Sequence, residues 1–225
     1  MTSDSGQNIR IVGESTLGEG PYNRISIVGK GHAHDRLGCK ELSVQGEINV
    51  AGDLTCETAV LRGAMTVGNE CTIQDAKIMG EAYVENWKSN TSRVWGRLAV
   101  DSQCAAEQMV VRGVLDVKGL FNFDKARILS DHSSHIHEMG GHTLEVRRSK
   151  YFFFLPRLRK QAVLKAKSIE VDDIDIDFTH AEIVRGSRIK IGKNCRIGKV
   201  EYSESLIVEE GAVVEKQEKQ ECLSV

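Results

Sequence analysis

The sequence predicts an all-β protein, wound as a three-sided parallel β-helix of about eleven turns, each of about 16–17 residues, with one basic insertion. Three observations predict it. A glycine returns at intervals of about 17 residues through the first half of the chain, the self-similarity of a repeat architecture. Short runs of alternating apolar residues flank each of these glycines. Aromatic residues make up only 5% of the 225 residues and prolines number two, so the core must be built from Val, Ile, Leu and Ala.

The reference glycines are Gly13, Gly29, Gly46, Gly63, Gly80, Gly96 and Gly113. Apolar pairs precede them by four and two residues, as in Ile9/Ile11, Ile25/Ile27, Leu42/Val44 and Met109/Val111. Others follow by two and four, as in Ile48/Val50, Met65/Val67 and Leu115/Val117. A third set falls eight and ten residues on: Leu37/Cys39, Leu54/Cys56, Cys71/Ile73, Lys88/Asn90, Cys104/Ala106 and Phe121/Phe123. Period-two alternation marks a strand with one buried face. Each repeat therefore holds three short strands, and the glycine occupies a corner where a residue without Cβ adopts a conformation that others resist. Equivalent residues stack in columns about 4.8 Å apart, giving a rod roughly 50 Å long. Lys88 and Asn90 are out of character at inward positions and point to a bulge or a slipped register there.

Beyond Gly113 the pattern weakens. Ser130 takes the glycine's place, preceded by Ala126 and Ile128, and Leu144 and Val146 continue the inward phase. After a break it resumes with Ile189, Ile191, Cys195 and Ile197. Moving that frame on by one repeat predicts Leu206, Val208, Ala212 and Val214 as inward. The expected organisation is a disordered tail over 1–8, β-helix over 9–146, an insertion over 147–167, β-helix over 168–215 and a charged tail over 216–225.

The phrases "GEINVAGDL" and "RIKIGKNCRIG", set in this sustained period, resemble the core repeats of the bactofilins, polymer-forming bacterial cytoskeletal proteins. The likeness spans most of residues 9–215. It implies a right-handed β-helix that joins end to end into filaments without nucleotide, often at the membrane, as a scaffold in cell shape, envelope synthesis or motility. Two departures stand out: the insertion inside the coil, and a last turn ending on Val213 and Val214 without the aromatic residue the family often places there.

The same expectation follows from physics. A coil of this kind is stable only against neighbours, and the first and last have one each. Their open edges must be capped, blunted by charge or paired with another molecule. Ile9, Ile11, Ile25 and Ile27 at the front, and Leu206, Val208, Val213 and Val214 at the rear, are the candidate polymerisation ends. The expected partners are further copies of the chain, with a paralogue left open. A non-polymerising β-helical binding protein is an alternative.

The stretch "RRSKYFFFLPRLRKQAVLKAK", residues 147–167, carries eight Lys or Arg, no acid and three of the six phenylalanines, leaving a net charge of −10 on the remainder. Pro156 and the lost period take it out of the coil. Basic residues beside aromatics suit an anionic membrane surface. Arg147, Arg148, Lys150, Phe152, Phe153, Phe154, Leu155, Arg157, Arg159 and Lys160 are the candidate contacts, for a membrane or for the acidic flank of a neighbouring filament. Packing of the aromatics on the coil is the plainer reading. Nucleic acid is not expected, because the acidic remainder repels phosphate.

His132, His135, His137 and His142 lie close together in sequence, and His32 and His34 form a second pair. His135 and His137 share one side of a strand, a start for a zinc site, but the pattern fixes no further ligands. No metal or cofactor is expected. The cysteines, without CxxC spacing, read as small core residues. "IKIGKNCRIG" briefly resembles the six-residue rhythm of hexapeptide-repeat acyltransferases, a β-helical enzyme alternative, yet those hold a stricter and slightly longer turn. There is no GxxxxGK[ST] phosphate loop, so neither nucleotide binding nor a catalytic residue is expected. With no apolar run of about 18 residues and no signal-peptide pattern at the N-terminus, a cytoplasmic location follows, extended by the resemblance to the inner face of the membrane.

Overall fold

The computed structural model describes residues 6–130, 132–148 and 162–220. They form a single sheet of ten parallel strands paired strictly in chain order, a β-solenoid of about 12 turns with no helix among the described residues. The strands are β1 (Gln7–Leu17), β2 (Pro21–Ala33), β3 (Leu37–Val50), β4 (Leu54–Val100) and β5 (Cys104–Ser130). They continue as β6 (Ser134–Arg148), β7 (Leu164–Ile176), β8 (Thr179–Ile191), β9 (Arg196–Val208) and β10 (Val213–Lys219). Strand β4 runs for 47 residues because the chain bends at corners without leaving the ladder.

Each coil presents three faces: face A leading into the reference glycine, face B following it, and face C before the next coil. All seven reference glycines have positive φ, from 97° at Gly13 to 141° at Gly80. The corner also excludes any side chain for a second reason. A Cβ on Gly29 would lie 2.1 Å from the carbonyl oxygen of Gly13, and a Cβ on Gly113 equally close to that of Gly96. The corners stack directly on one another, so the glycine is required by backbone conformation and by close approach together.

The inward columns follow the alternation, and the apolar ladder from Ile25 to Val200 forms one continuous core. The position of Lys88 and Asn90 is corrected. Two residues, Glu85 and Asn86, separate the strands of faces B and C there, where the preceding coil has Gly68, Asn69 and Glu70. The shorter corner moves the register by one, so Trp87 and Ser89 point inward and Lys88 and Asn90 face solvent. Trp87 pairs with Cys104 in the next coil, and Cys71 precedes it in the same column. The two thiols are small enough to leave room for the indole. Its Nε1–H donates to Ser89 and Ser92 at 3.1 and 3.2 Å, and the Ser92 hydroxyl donates to that of Ser89 at 2.7 Å. A buried donor is thereby satisfied by its own column.

The regular coil length expected from the sequence holds as far as β5 and then changes. In the first half, Ile9 pairs with Ile25 and Leu42 with Ala59, one repeat apart. Between β5 and β6 the coil lengthens, with Asp116 against His135 and Leu120 against Glu138. Between β7 and β8 it shortens, with Leu164 against Thr179. The regular glycine column is lost in this half, where Phe178 and Asn194 take positive φ at corners, 49° and 59°, and Gly211 does so at 86° between β9 and β10. Ser130 does not adopt positive φ, and its buried hydroxyl has no partner among the described residues. Its strand ends there instead of turning onto face B.

The boundaries also move. Strand pairing begins at Gln7, continues through Arg148, resumes at Leu164 and extends to Lys219. Part of the expected tails and both flanks of the expected insertion therefore belong to the coil.

Candidate functional site

The two extremities of the solenoid are where its chemistry is left incomplete. Strand β1 pairs only with β2, and β10 only with β9. The outer edge of each carries backbone donors and acceptors with no ladder partner among the described residues.

At the front, Ile11 and Leu17 of the first coil are buried, while Ile9 is half-buried and packs on the core from one side. Val12, in the outward phase, is 73% exposed. Gly13 repeats the inner corners, with φ of 97°, but no described residue lies within 4 Å of where its Cβ would be. In each following reference corner that space holds the carbonyl of the preceding coil's glycine. Ile25 and Ile27 are corrected: both are wholly buried in the second coil and take no part in the open edge.

At the rear, Leu206, Ala212 and Val214 pack on the core but remain partly open. Leu206 and Val208 pair with Ile189 and Ile191, and Val214 with Ile197, the register expected from the sequence. Val208 is incompletely covered, because no described coil follows it. Val213 is turned outward and 57% exposed, and Ile207 is 56% exposed. Val12 and Ile207 were missed by counting inward positions only; their signal is an outward apolar residue at a terminal coil.

The rear edge is also charged. Glu215, Lys216, Glu218 and Lys219 lie along β10, and an ion network ties this strand down. The Glu201 carboxylate meets Arg185 at 2.7 Å and Lys199 at 2.6 Å, and Lys199 also reaches Glu218 at 2.8 Å. Hydrogen bonds from Lys199 and then Arg185 hold the Glu201 pKa below the usual carboxylate range. Both terminal strands thus mix apolar and charged residues: β1 carries Arg10 and Glu14 beside Ile9 and Val12, as β10 carries its Lys and Glu beside Val213.

Of the residues expected to touch a membrane or a neighbouring filament, Lys150, Phe152, Phe153, Phe154, Leu155, Arg157, Arg159 and Lys160 lie outside the described residues. Arg147 and Arg148 are tied to the coil. The Arg147 guanidinium pairs with the Asp175 carboxylate and donates to the Val146 and Asp175 carbonyls at 3.1 Å. Burial acts against its charge, but the hydrogen bond and the attraction from Asp175 raise its pKa overall. Arg148 lies 5.2 Å from the centre of the Phe178 ring.

His135 and His137 share face B, at the rim of a shallow hollow lined also by Tyr83, Asp116, Lys118 and Lys165. His135 faces Asp116 at 3.5 Å, His137 faces Glu138 at 3.7 Å, and His142 faces Asp172 at 2.7 Å. Among the described residues no three His, Cys, Asp or Glu side chains converge as a metal site. Cys71 and Cys104 have thiol pKa values pushed well up by burial, and that of Cys195 is pushed up to about 11 for the same reason. Such thiols stay protonated and poorly nucleophilic. Cys39 and Cys56 face each other in adjacent coils at 3.5 Å, and a thiol hydrogen bond lowers the pKa of the first while raising that of the second. No helix in the described residues is long and apolar enough to cross a membrane.

The described residues define a parallel β-solenoid whose first and last strands each pair on one side only. Part of the chain is similar to two Bacillus subtilis (strain 168) proteins. One is the uncharacterized protein YhbE, 39% identical over 104 residues, covering 46% of this chain and 44% of that protein. The other is the uncharacterized protein YhbF, 40% identical over 85 residues, covering 37% of this chain and 34% of that protein. The chain thus aligns with less than half the length of either relative. No family model and no solved structure matches it.

Proposed function

We propose that the protein is a scaffold that assembles end to end into filaments without nucleotide, in the manner of the bactofilins it resembles. The observation that carries this reading is the open front corner. Gly13 has the conformation of the stacked corners that follow, yet no described coil lies above it. A coil from another copy would supply ladder hydrogen bonds, each contributing about 0.5–1.5 kcal/mol net, and would cover Ile9 from its open side. Solenoid stability is a sum over neighbouring coils, so an added neighbour stabilises both subunits.

Negative-stain microscopy of the purified chain without nucleotide tests the reading. Filaments or stacked rods are expected in the wild type, and Ile9→Lys, which puts a charge into the front contact, is expected to shorten them to single rods. Dispersed single rods for the wild type over a range of salt and protein concentration would favour the non-polymerising binding protein. That rival draws its support from the charged edge of β10.

A further inference from the structure

Face A carries a second surface, remote from both ends. Over the five coils from Thr58 to Leu129 its outward positions hold six cations, Arg62, Lys77, Arg93, Arg112, Lys125 and Arg127, and a single acid, Asp75. Most of these cations are a coil apart in sequence and become one patch only through the winding. Trp95 stands opposite Arg112 and Arg93 opposite Val110 in adjacent strands. With five residues to a strand and five strands, the patch is flat and measures about 16 by 20 Å.

Most of its cations differ from Arg185 and Arg188, the outward arginines of β8. In the C-terminal coils Arg185 lies between Glu170 and Glu201, and Arg188 between Asp173 and Glu204. On face A, Arg62, Arg93, Arg112 and Lys125 have no ion-pair or hydrogen-bond partner among the described residues. Arg127 is paired, to Glu145 at the patch border. Lys77 lies 5.7 Å from the centre of the Trp95 ring. Half-buried apolar side chains, Val60, Met79, Trp95, Val110 and Leu129, alternate with the cations. Across the corner, face C is mostly acidic at the same height, with Glu57, Glu70, Glu107 and Asp124 against one cation, Lys88.

We infer that face A docks flat against an anionic phospholipid surface. Guanidinium and ammonium groups left without carboxylates are complementary to lipid phosphates and carboxylates, and each basic residue near such a surface adds attraction. Indole and short apolar side chains among them suit the boundary between headgroups and acyl chains. The acidic face C of a second copy matches the charge but has mostly polar side chains around its acids, leaving the apolar half of face A uncovered. Docking on a side face leaves both ends of the rod free, so it neither needs nor blocks end-to-end assembly.

Trp95 makes the test specific. The chain has two tryptophans, and Trp87 is only 1% exposed in the core, so a vesicle-induced change in tryptophan emission reports on face A. The full chain is mixed with vesicles of phosphatidylcholine containing phosphatidylserine, or of phosphatidylcholine alone. A blue shift and protection from acrylamide are expected with the anionic vesicles only, and Trp95→Phe is expected to abolish both. The variant Arg62→Glu/Arg93→Glu/Arg112→Glu is expected to bind at least about 10-fold more weakly while keeping its circular dichroism spectrum and its microscopy appearance. Three results would overturn the inference. One is pelleting with vesicles and no change in emission. Another is binding that survives the triple variant but is lost in Phe152→Ser/Phe153→Ser/Phe154→Ser, which assigns the contact to the insertion. The third is loss of side-by-side rod association in the triple variant with vesicle binding intact, which assigns face A to a second copy.

Discussion

Gly29 and Trp87 show how narrowly single residues are held in this coil. At Gly29 an added methyl group would meet the Gly13 carbonyl oxygen at 2.1 Å with φ at 127°. Gly29→Ala is therefore expected to cost at least about 3 kcal/mol, from a strained backbone and a displaced neighbour. Gly38→Ala is the contrast: its Cβ would meet nothing within 4 Å, and an effect within about 0.5 kcal/mol is expected. Urea denaturation of the two variants checks both figures. Trp87→Ala removes a large, fully buried side chain from between two thiols and leaves Ser89 and Ser92 without their donor, an expected loss of about 3–5 kcal/mol. The glycine corners were legible in the sequence because the residue that marks them is also the one the geometry demands. Trp87 was not, because counting from Gly80 assumes equal corners, and a single missing residue reverses inside and outside.

At the scale of the strand, outward columns place like charges one above another, and their effects reach neighbouring coils. His180 on β8 stands between Lys165 on β7 and Arg196 on β9. Partial burial, then Arg196 and then Lys165, push its pKa below the ordinary imidazole value of 6.5. The unfolded chain thus takes up this proton at a higher pH than the folded one. The stabilising contribution is complete above about pH 6.5 and is lost as pH falls toward the folded value. His180→Gln is expected to flatten this part of the pH dependence, measured as melting temperature between pH 7 and pH 5. Glu201 acts in a lower window with the same sign: its depressed pKa gives stability above the usual carboxylate range that is lost on further acidification. The change of coil length after Ser130 was invisible in advance for a related reason. Alternation alone fixes which residues point inward, whereas corner length is set by residues with no periodic signature.

The stability of the rod turns on its extremities, since each inner coil has two neighbours and, among the described residues, each terminal coil has one. If copies join there, association is linked to folding, and the melting temperature is expected to rise with protein concentration. Ile9→Lys is expected to remove that dependence while leaving the value at high dilution almost unchanged. Calorimetry across a concentration series measures both. The architecture and the positions of Leu206, Val208 and Val214 were readable from the period alone, as were the front residues Ile9 and Ile11. The cationic face was not, because Arg62, Arg93 and Arg112 form no cluster in sequence and belong together only after winding. Reading outward positions at the same period reveals it.

The unbroken ladder of β4 has a consequence for how such a rod could change in size. Successive coils there repeat one glycine corner, with Gly63, Gly80 and Gly96 each stacked on the glycine before it. Duplicating a single repeat unit at that point would lengthen the body by one strand spacing, about 4.8 Å, and leave both tips untouched. Length becomes a quantity that tandem duplication can adjust in fixed steps, like links added to the middle of a chain.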